Sequence, residues 1–297
     1  MIKLVILGSS AALPSKDHSP TCFAVKHGGV YLFDASEGVQ QRMMRYGVSM
    51  MQVKAIFLSH LHADHFLGIP GLIQTMNLQG RTDEMLIVGP TGTRQFFETL
   101  FSTRVLAPQG YKIKFKEVAR AGKVFKNDLF EVKAFSVEHS AKALGFALQT
   151  HSYRRFDEKK AREAGIRGHL FTFIQEKGVA QVGENVVKYE DVTYLQKGKT
   201  IVYSGDTLPC KAVEKHAKEC DLLIHEATFM EAEGAVAREK RHSTAGQAAA
   251  IARKADAKRL LLLHVSNRYE DRGGMLAEAK GVFANSEVGR EGMEILI

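Results

Sequence analysis

"FLSHLHADHFLGIPG", residues 57–71, sets His60, His62, Asp64 and His65 within six positions, directly behind the apolar run of "VKAIFLS". In an extended loop His60 and His62 project to the same side, and Asp64 and His65 follow after a turn. Neutral imidazole nitrogens and carboxylate oxygens suit zinc, and one zinc ion takes three or four such ligands. A lone histidine is more often an ordinary surface or core residue. Four donors crowded behind a buried strand point instead to a metal.

The same placement recurs further along. "AFSVEHS" delivers His139 where an apolar run stops, "TIVYSGDT" delivers Asp206, and "RLLLLHVS" delivers His264. Strand ends are where α/β proteins hold reactive groups rigidly beside a crevice. Together with the first four, these residues make seven donors, enough for two metals sharing a bridging carboxylate.

The segments between them set the fold class. "IKLVILG" reads as a strand, and "CFAVKHGGVYLFDAS" as a hairpin turning at Gly28-Gly29. "EGVQQRMMRYG" has helical spacing and a closing glycine at Gly47. "VKAIFLS", "GIPGLIQTMNLQG", "EMLIVGP" and "GTRQFFETLFS" alternate strand and helix. Residues 111–150 are strand-rich, and alternation resumes from about 197 to a last helix before "MEILI". A strand-heavy stretch with βα units on either side predicts an α/β domain of two packed sheets with helices outside. Residues 151–196 break the rhythm: they are polar, glycine-punctuated and poor in apolar periodicity, and read as an arm inserted into one domain spanning 1–297. From 151 to 199, ten Lys and Arg face seven Asp and Glu, an excess of +3.

Composition narrows the class. The 297 residues are 45% hydrophobic and 25% charged, ordinary for a globular chain. Three cysteines (Cys22, Cys210, Cys220) are odd in number and form no CxxC pair, which argues against a disulfide framework or thiolate zinc knuckle and fits a reducing cytoplasm. The opening "IKLVILG" is too short for a membrane span and lacks a signal-cleavage pattern. A net charge of +8 suits a polyanionic partner, although many basic proteins bind no nucleic acid. Lys112, Lys114 and Lys116 alternate with Ile113 and Phe115 on one strand face, either facing RNA or simply solvated.

The pattern resembles the metallo-β-lactamase superfamily, whose HxHxDH signature stands here as "HLHADH" and whose later His, Asp and His correspond to His139, Asp206 and His264. The resemblance spans nearly the whole chain and implies an αββα sandwich. It also implies that His60, His62 and His139 hold one metal, that Asp64, His65 and His264 hold a second, and that Asp206 bridges them. Two zinc ions per subunit are the expected cofactors, and manganese or iron suit the same donors.

Within the superfamily the chain resembles the ribonuclease Z family. "LFDASEGVQQRM", "HLHADHFLGIPGLIQTM", "SGDT", "HEATF", "HSTAGQA" and "LLLHVSNRY" match its segments in order and approximate spacing. The resemblance implies a homodimeric endoribonuclease that removes the 3′ trailer of precursor tRNA. It implies that Asp64 accepts a proton from the attacking water, that His242 donates one to the leaving oxygen, and that Glu226 orients and charges His242. Thr244 or Ser243 also reads as a helix cap just after His242, and His225 beside Glu226 carries a weaker suggestion of a role. The arm resembles the family's tRNA-gripping exosite, with His169 where proline is usual; Arg154, Arg155, Lys159, Lys160 and Arg167 are its candidate phosphate contacts. Near the N-terminus the family's Pro-x-Lys-x-Arg-Asn loop stands as "PSKDHS", so Pro14 and Lys16 persist while His18 and Ser19 replace Arg and Asn. Two rival readings share these residues: another hydrolase on the same scaffold, acting on a small phosphodiester, thioester or lactone, and a non-catalytic RNA-binding protein.

Overall fold

A computed structural model describes residues 2–13, 15–102 and 110–297, so Pro14 of the N-terminal loop lies outside the described residues. The chain divides into two compact units, one of residues 1–149 and 200–297, the other of residues 150–199.

In the larger unit, alternating apolar residues build two sheets. Leu4 and Ile6 of the strand Lys3–Gly8 enter one apolar cluster, while Val5 and Leu7 enter another. The all-leucine strand Leu260–Leu263 divides likewise: Leu261 and Leu263 face inward and Leu260 and Leu262 outward. A strand apolar on both faces must be covered on both. This is why such runs sit in the middle layers.

The first sheet has seven strands in the order Glu294–Leu296, Lys3–Gly8, Cys22–Lys26, Val30–Phe33, Val53–Phe57, Met85–Pro90 and Ile113–Val118. The second also has seven, in the order Ser286–Val288, Leu260–Leu263, Leu222–Glu226, Thr200–Tyr203, Ala143–Thr150, Phe130–Val137 and Gly122–Lys126. Their facing sides share a core that includes Phe23, Phe33, Phe57, Phe130 and Phe146. The Phe33 ring stacks on Phe23 and on Phe57, at 4.9 Å from each. The helices Val39–Arg45, Gly68–Leu78 and Thr93–Ser102 cover the outer face of the first sheet. Lys211–His216, Ala245–Lys254 and Gly273–Val282 cover that of the second. Alanines 248, 249 and 252 let Ala245–Lys254 lie close on its sheet. The expected αββα sandwich is what the chain forms.

Register brings the strand ends level. Phe33 pairs with Phe57 across parallel strands, Tyr203 with Ile224, and Glu226 with Leu263. Residues just beyond these pairs share one edge of the sandwich. The alternating lysines belong to the solvated face: Lys112, Lys114 and Lys116 are exposed, Lys114 Nζ lies 2.8 Å from Glu84, and Ile113 and Phe115 turn inward.

The smaller unit has a core of its own. Strand Tyr153–Phe156 pairs with Thr193–Gln196, Val179–Val182 with Asn185–Lys188, and two helices span Glu158–Glu163 and Leu170–Lys177. Ala161, Ile166, Ile174, Ala180, Val187 and Val192 are buried together, with Phe156, Phe171 and Tyr189 against them. The weak periodicity of this stretch has a simple origin. One or two buried residues per short element suffice, too few for any window to register.

Candidate metal centre and catalytic pocket

The donors predicted from strand ends converge. His60 and His62 follow the strand Val53–Phe57, and His62 precedes the short helix Ala63–Phe66, which carries Asp64 and His65. His139 follows Phe130–Val137, Asp206 follows Thr200–Tyr203, and His264 follows Leu260–Leu263. Gly205, with φ of +61°, makes the turn before Asp206, where a Cβ would lie 2.6 Å from the Leu144 carbonyl oxygen. Only glycine fits there without strain.

Two groups of three form around a shared carboxylate. Ligand atoms of His60, His62 and His139 lie within 4.8 Å of one another, as do those of Asp64, His65 and His264. Asp206 Oδ2 stands between the groups, 3.7 Å from His60 Nε2, 3.4 Å from His65 Nε2 and 3.2 Å from His264 Nε2.

The surroundings fix which ring nitrogens are free to ligate. His65 Nδ1 donates to Asp34 Oδ2 at 2.8 Å, His139 Nδ1 to the Arg241 carbonyl at 3.0 Å, and His264 Nδ1 to Thr228 Oγ1 at 2.9 Å. Each Nε2 is thereby left with its lone pair aimed at the shared space, the arrangement metal-binding histidines adopt. Among the described residues His65 Nε2 and Asp206 Oδ1 find no hydrogen-bond partner, though both are buried. His62 Nδ1 lies 3.0 Å from His60 Nε2 and 3.2 Å from His139 Nε2. Converging lone pairs and orphaned buried acceptors are costly unless a cation satisfies them. The donor set therefore fits divalent metal, and its nitrogen-rich composition fits zinc.

Asp64 is ionised. Burial opposes its charge, but the positive charge carried by the His264 and His65 rings when protonated, with Nε2 at 3.4 and 3.3 Å from Asp64 Oδ2, outweighs this and holds the carboxyl far below the usual carboxylate range.

Beside the donors lies an ion pair. His242 Nδ1 is 2.8 Å from Glu226 Oε1. Burial pulls the His242 ring down, yet the Glu226 carboxylate more than compensates and brings its pKa up to about 9. Glu226 is in turn held by the Thr207 and Thr228 amides at 3.0 and 3.1 Å and by the Thr228 hydroxyl at 2.8 Å. With Nδ1 engaged, His242 presents Nε2–H as an acid at neutral pH. His242 is not the helix cap: Thr244 caps Ala245–Lys254 in a capping box with Gln247, and Ser243 Oγ donates to the Thr207 carbonyl. His225 is buried, its Nδ1 donating to the Glu226 carbonyl at 2.7 Å, on the strand face opposite Glu226. Its Nε2 has no partner among the described residues.

These groups line a pocket of about 810 Å³ with His62, His139, His242 and His264 along one side and Ala11–Leu13 along another. Arg268 completes the wall, its guanidinium 4.8 Å from the centre of the Phe229 ring.

The candidate phosphate contacts divide. Lys16 is exposed, with Asp17 at 3.9 Å. Arg155, Lys159, Lys160 and Arg167 are exposed on the smaller unit, where Arg155, Phe156, Arg162, Arg167 and Phe171 line a groove of about 770 Å³. Arg154 is committed locally instead, its Nε donating to Thr193 Oγ1 at 2.9 Å and its Nη2 to the Glu190 carbonyl at 3.3 Å. His169 has φ of −64°, the value proline would impose, so its presence there leaves the backbone unchanged.

Sequence reasoning assigned no role to Asp34, Thr228 or Thr207. Asp34 is fully buried and also accepts from the Ser59 amide at 2.7 Å and Tyr203 Oη at 2.7 Å. An acid directly after the apolar run "VYLF" is the same signal that identified Asp206, and it would have found Asp34. Nothing in "EATF" or "GDT" marks the threonines.

Comparison with known proteins agrees with this geometry. Residues 2–167 match the family profile described as "Anti-Pycsar protein Apyc1", and residues 187–265 match that of the "Beta-lactamase superfamily domain". The chain is 41% identical over 302 residues to a ribonuclease Z of Methanosarcina acetivorans, covering 100% of this chain and 98% of the relative. It is 37% identical over 302 residues to that of Ignicoccus hospitalis, covering 99% and 98%. The crystal structure of the short form of human tRNase Z superposes with a TM-score of 0.73 at 25% identity, covering 99% of each chain. Full-length identity of this order joins the Apyc1-type N-terminal region and the later lactamase-type region into one assignment: the chain is a beta-lactamase superfamily protein and belongs to the ribonuclease Z family.

Proposed function

We propose that the chain is a metal-dependent endoribonuclease that cuts precursor tRNA on the 3′ side of the discriminator nucleotide and releases the 3′ trailer. The observation that carries this reading is the convergence of seven candidate metal donors beside the His242–Glu226 pair, with His62, His139, His264 and His242 lining one pocket.

Two divalent ions, zinc in this reading, would be held by His60, His62 and His139 and by Asp64, His65 and His264, with Asp206 reaching both; bound there they would stabilise charge on the phosphoryl oxygens and ease ionisation of the attacking water. The chain's own groups handle the protons. Ionised Asp64 accepts one from water as oxygen attacks phosphorus. As the P–O3′ bond breaks, His242 Nε2–H protonates the departing oxygen, and Glu226 stabilises the imidazolium before transfer. Thr228 ties the two halves together, touching His264 at 2.9 Å and Glu226 at 2.8 Å.

Exposed Arg155, Lys159, Lys160 and Arg167, with Lys16, would contact tRNA phosphates, and residues 150–199 would serve as the tRNA-gripping arm. Three buried, unpaired cysteines support a cytoplasmic location. Among the described residues no helix is long and apolar enough to cross a membrane. A homodimer belongs to the same proposal, and sedimentation of the purified protein checks it.

End-mapping of products from two precursor tRNAs, with and without CCA, tests the activity beside chromogenic phosphodiester, thioester and lactone substrates. A single cut after the discriminator is expected. Turnover of the small substrates alone would favour another hydrolase, and no metal-dependent turnover would favour an RNA binder.

A further inference from the structure

Beyond the strand Lys3–Gly8 the chain places Ala11–Leu13 along one wall of the catalytic pocket, and Ser15–Ser19 lead back to the strand Cys22–Lys26. The pocket end of this loop is tied down locally. The Ala11 amide donates to the Val265 carbonyl at 2.9 Å, and Asn267 bonds both the Ser10 hydroxyl and the Leu13 carbonyl.

Its base is held by one carboxylate from the far end of the chain. Glu291 Oε1 accepts from the Ser9 amide at 3.3 Å, the Ser9 hydroxyl at 3.2 Å and the Ser19 amide at 3.0 Å. Its Oε2 lies 3.1 Å from His18 Nδ1. Arg272 Nη1 donates to the Ser9 hydroxyl at 2.8 Å from the other side. The Glu291 side chain is 5% exposed and His18 is 29% exposed. A buried carboxylate that accepts bonds from both ends of a loop fixes the separation of those ends, and charge-assisted bonds of this kind are roughly twice as strong as neutral ones. Yet Glu291 itself is not among the residues lining the pocket.

We propose that Glu291 is a positioning residue: by clamping Ser9, His18 and Ser19 it holds the 9–19 loop as a fixed pocket wall, and so sets how tightly and at which bond the RNA strand around the cut is received. The specificity part of this inference rests on the endoribonuclease reading above. The clamping part rests on the geometry alone. His18 supplies the clamp's one contact to Glu291 Oε2 among the described residues.

The test compares wild type with Glu291→Ala, Glu291→Gln and His18→Ala. Three readouts are taken: precursor-tRNA cleavage with end-mapping, hydrolysis of bis-(p-nitrophenyl) phosphate, and amide hydrogen exchange across residues 9–19. Glu291→Ala should raise KM for precursor tRNA about tenfold and scatter the cut over neighbouring bonds, with kcat changing less. Hydrolysis of the small diester and metal content should stay within about twofold of wild type, since the candidate metal donors and the His242–Glu226 pair all lie outside the loop. Exchange in the loop should rise. Glu291→Gln, which still accepts from both serine amides, should recover most of the effect, and His18→Ala should fall between.

Unchanged KM, cut site and loop exchange in Glu291→Ala would overturn the proposal. So would a parallel loss of both activities with loss of metal, which would mark Glu291 as a general structural residue. A wild-type enzyme that hydrolyses the small diester but leaves precursor tRNA intact would overturn the function reading and the specificity part with it. Loop exchange would then still decide whether Glu291 is the clamp.

Discussion

Replacing Glu226 by glutamine keeps the shape and the acceptor oxygen facing the Thr207 amide but removes the charge beside His242. That charge opposes burial and brings the His242 ring from 6.5 up to about 9. The gap is worth about 3 kcal/mol at roughly 1.4 kcal/mol per pKa unit. Little of it is screened, because the His242 and Glu226 side chains are 15% and 1% exposed. At pH 8 the wild-type ring is about 90% protonated, whereas a ring at 6.5 is about 3% protonated, so the variant should cut about 30-fold more slowly. Burial would take the variant's ring lower still, which makes this figure a lower bound. As pH falls from 8 to 5.5 the wild-type ring stays charged while the variant's ring gains protons, so the ratio of the two rates should narrow steadily. The sign follows from a raised pKa: stabilisation of the charged pair is complete below about 6.5 and is lost as pH rises through about 9. Single-turnover cleavage of a precursor tRNA between pH 5.5 and 9, with metal saturating, measures the ratio. A ratio as large at pH 5.5 as at pH 8 would refute the idea that Glu226 acts by charging His242.

Three other outcomes follow from the same geometry. His242→Ala should lower single-turnover cleavage by about 10²–10⁴-fold, while metal content and tRNA affinity stay near wild type; undiminished cleavage would remove His242 from the chemistry. Residues 150–199 can be excised by joining Gln149 to Thr200 through an Asn-Gly turn, because these two residues pair across adjacent antiparallel strands. The shortened chain should keep its hydrolysis of a chromogenic diester yet bind precursor tRNA at least about tenfold more weakly, with a shallower dependence on salt. Thr244→Ala removes the bonds to the Gln247 amide and to Glu231, and calorimetry should record a loss of about 1–2 kcal/mol.

The sequence by itself determined the layered fold and singled out the candidate donors. Strands apolar at every position, such as "LLLL" at 260–263, have nowhere to go but the middle of a sandwich, and a polar residue that ends such a run is left at the sheet edge. His60, His62, Asp64, His65, His139, Asp206 and His264 all carry that local signal, so no long-range information was needed to name them. Tertiary structure alone decided what surrounds them. The partners that orient the rings come from elsewhere in the chain: Asp34 reaches His65 across 31 positions, Thr228 reaches His264 across 36, and Glu291 reaches Ser9 across 282. The small unit at 150–199 hid its core for a related reason, since its buried residues are spread thinly over short elements that meet only after folding. Hydrogen bonds and burial depend on distance in space, and a raised histidine pKa depends on both. Spacing along a chain records neither once the partners lie on different strands.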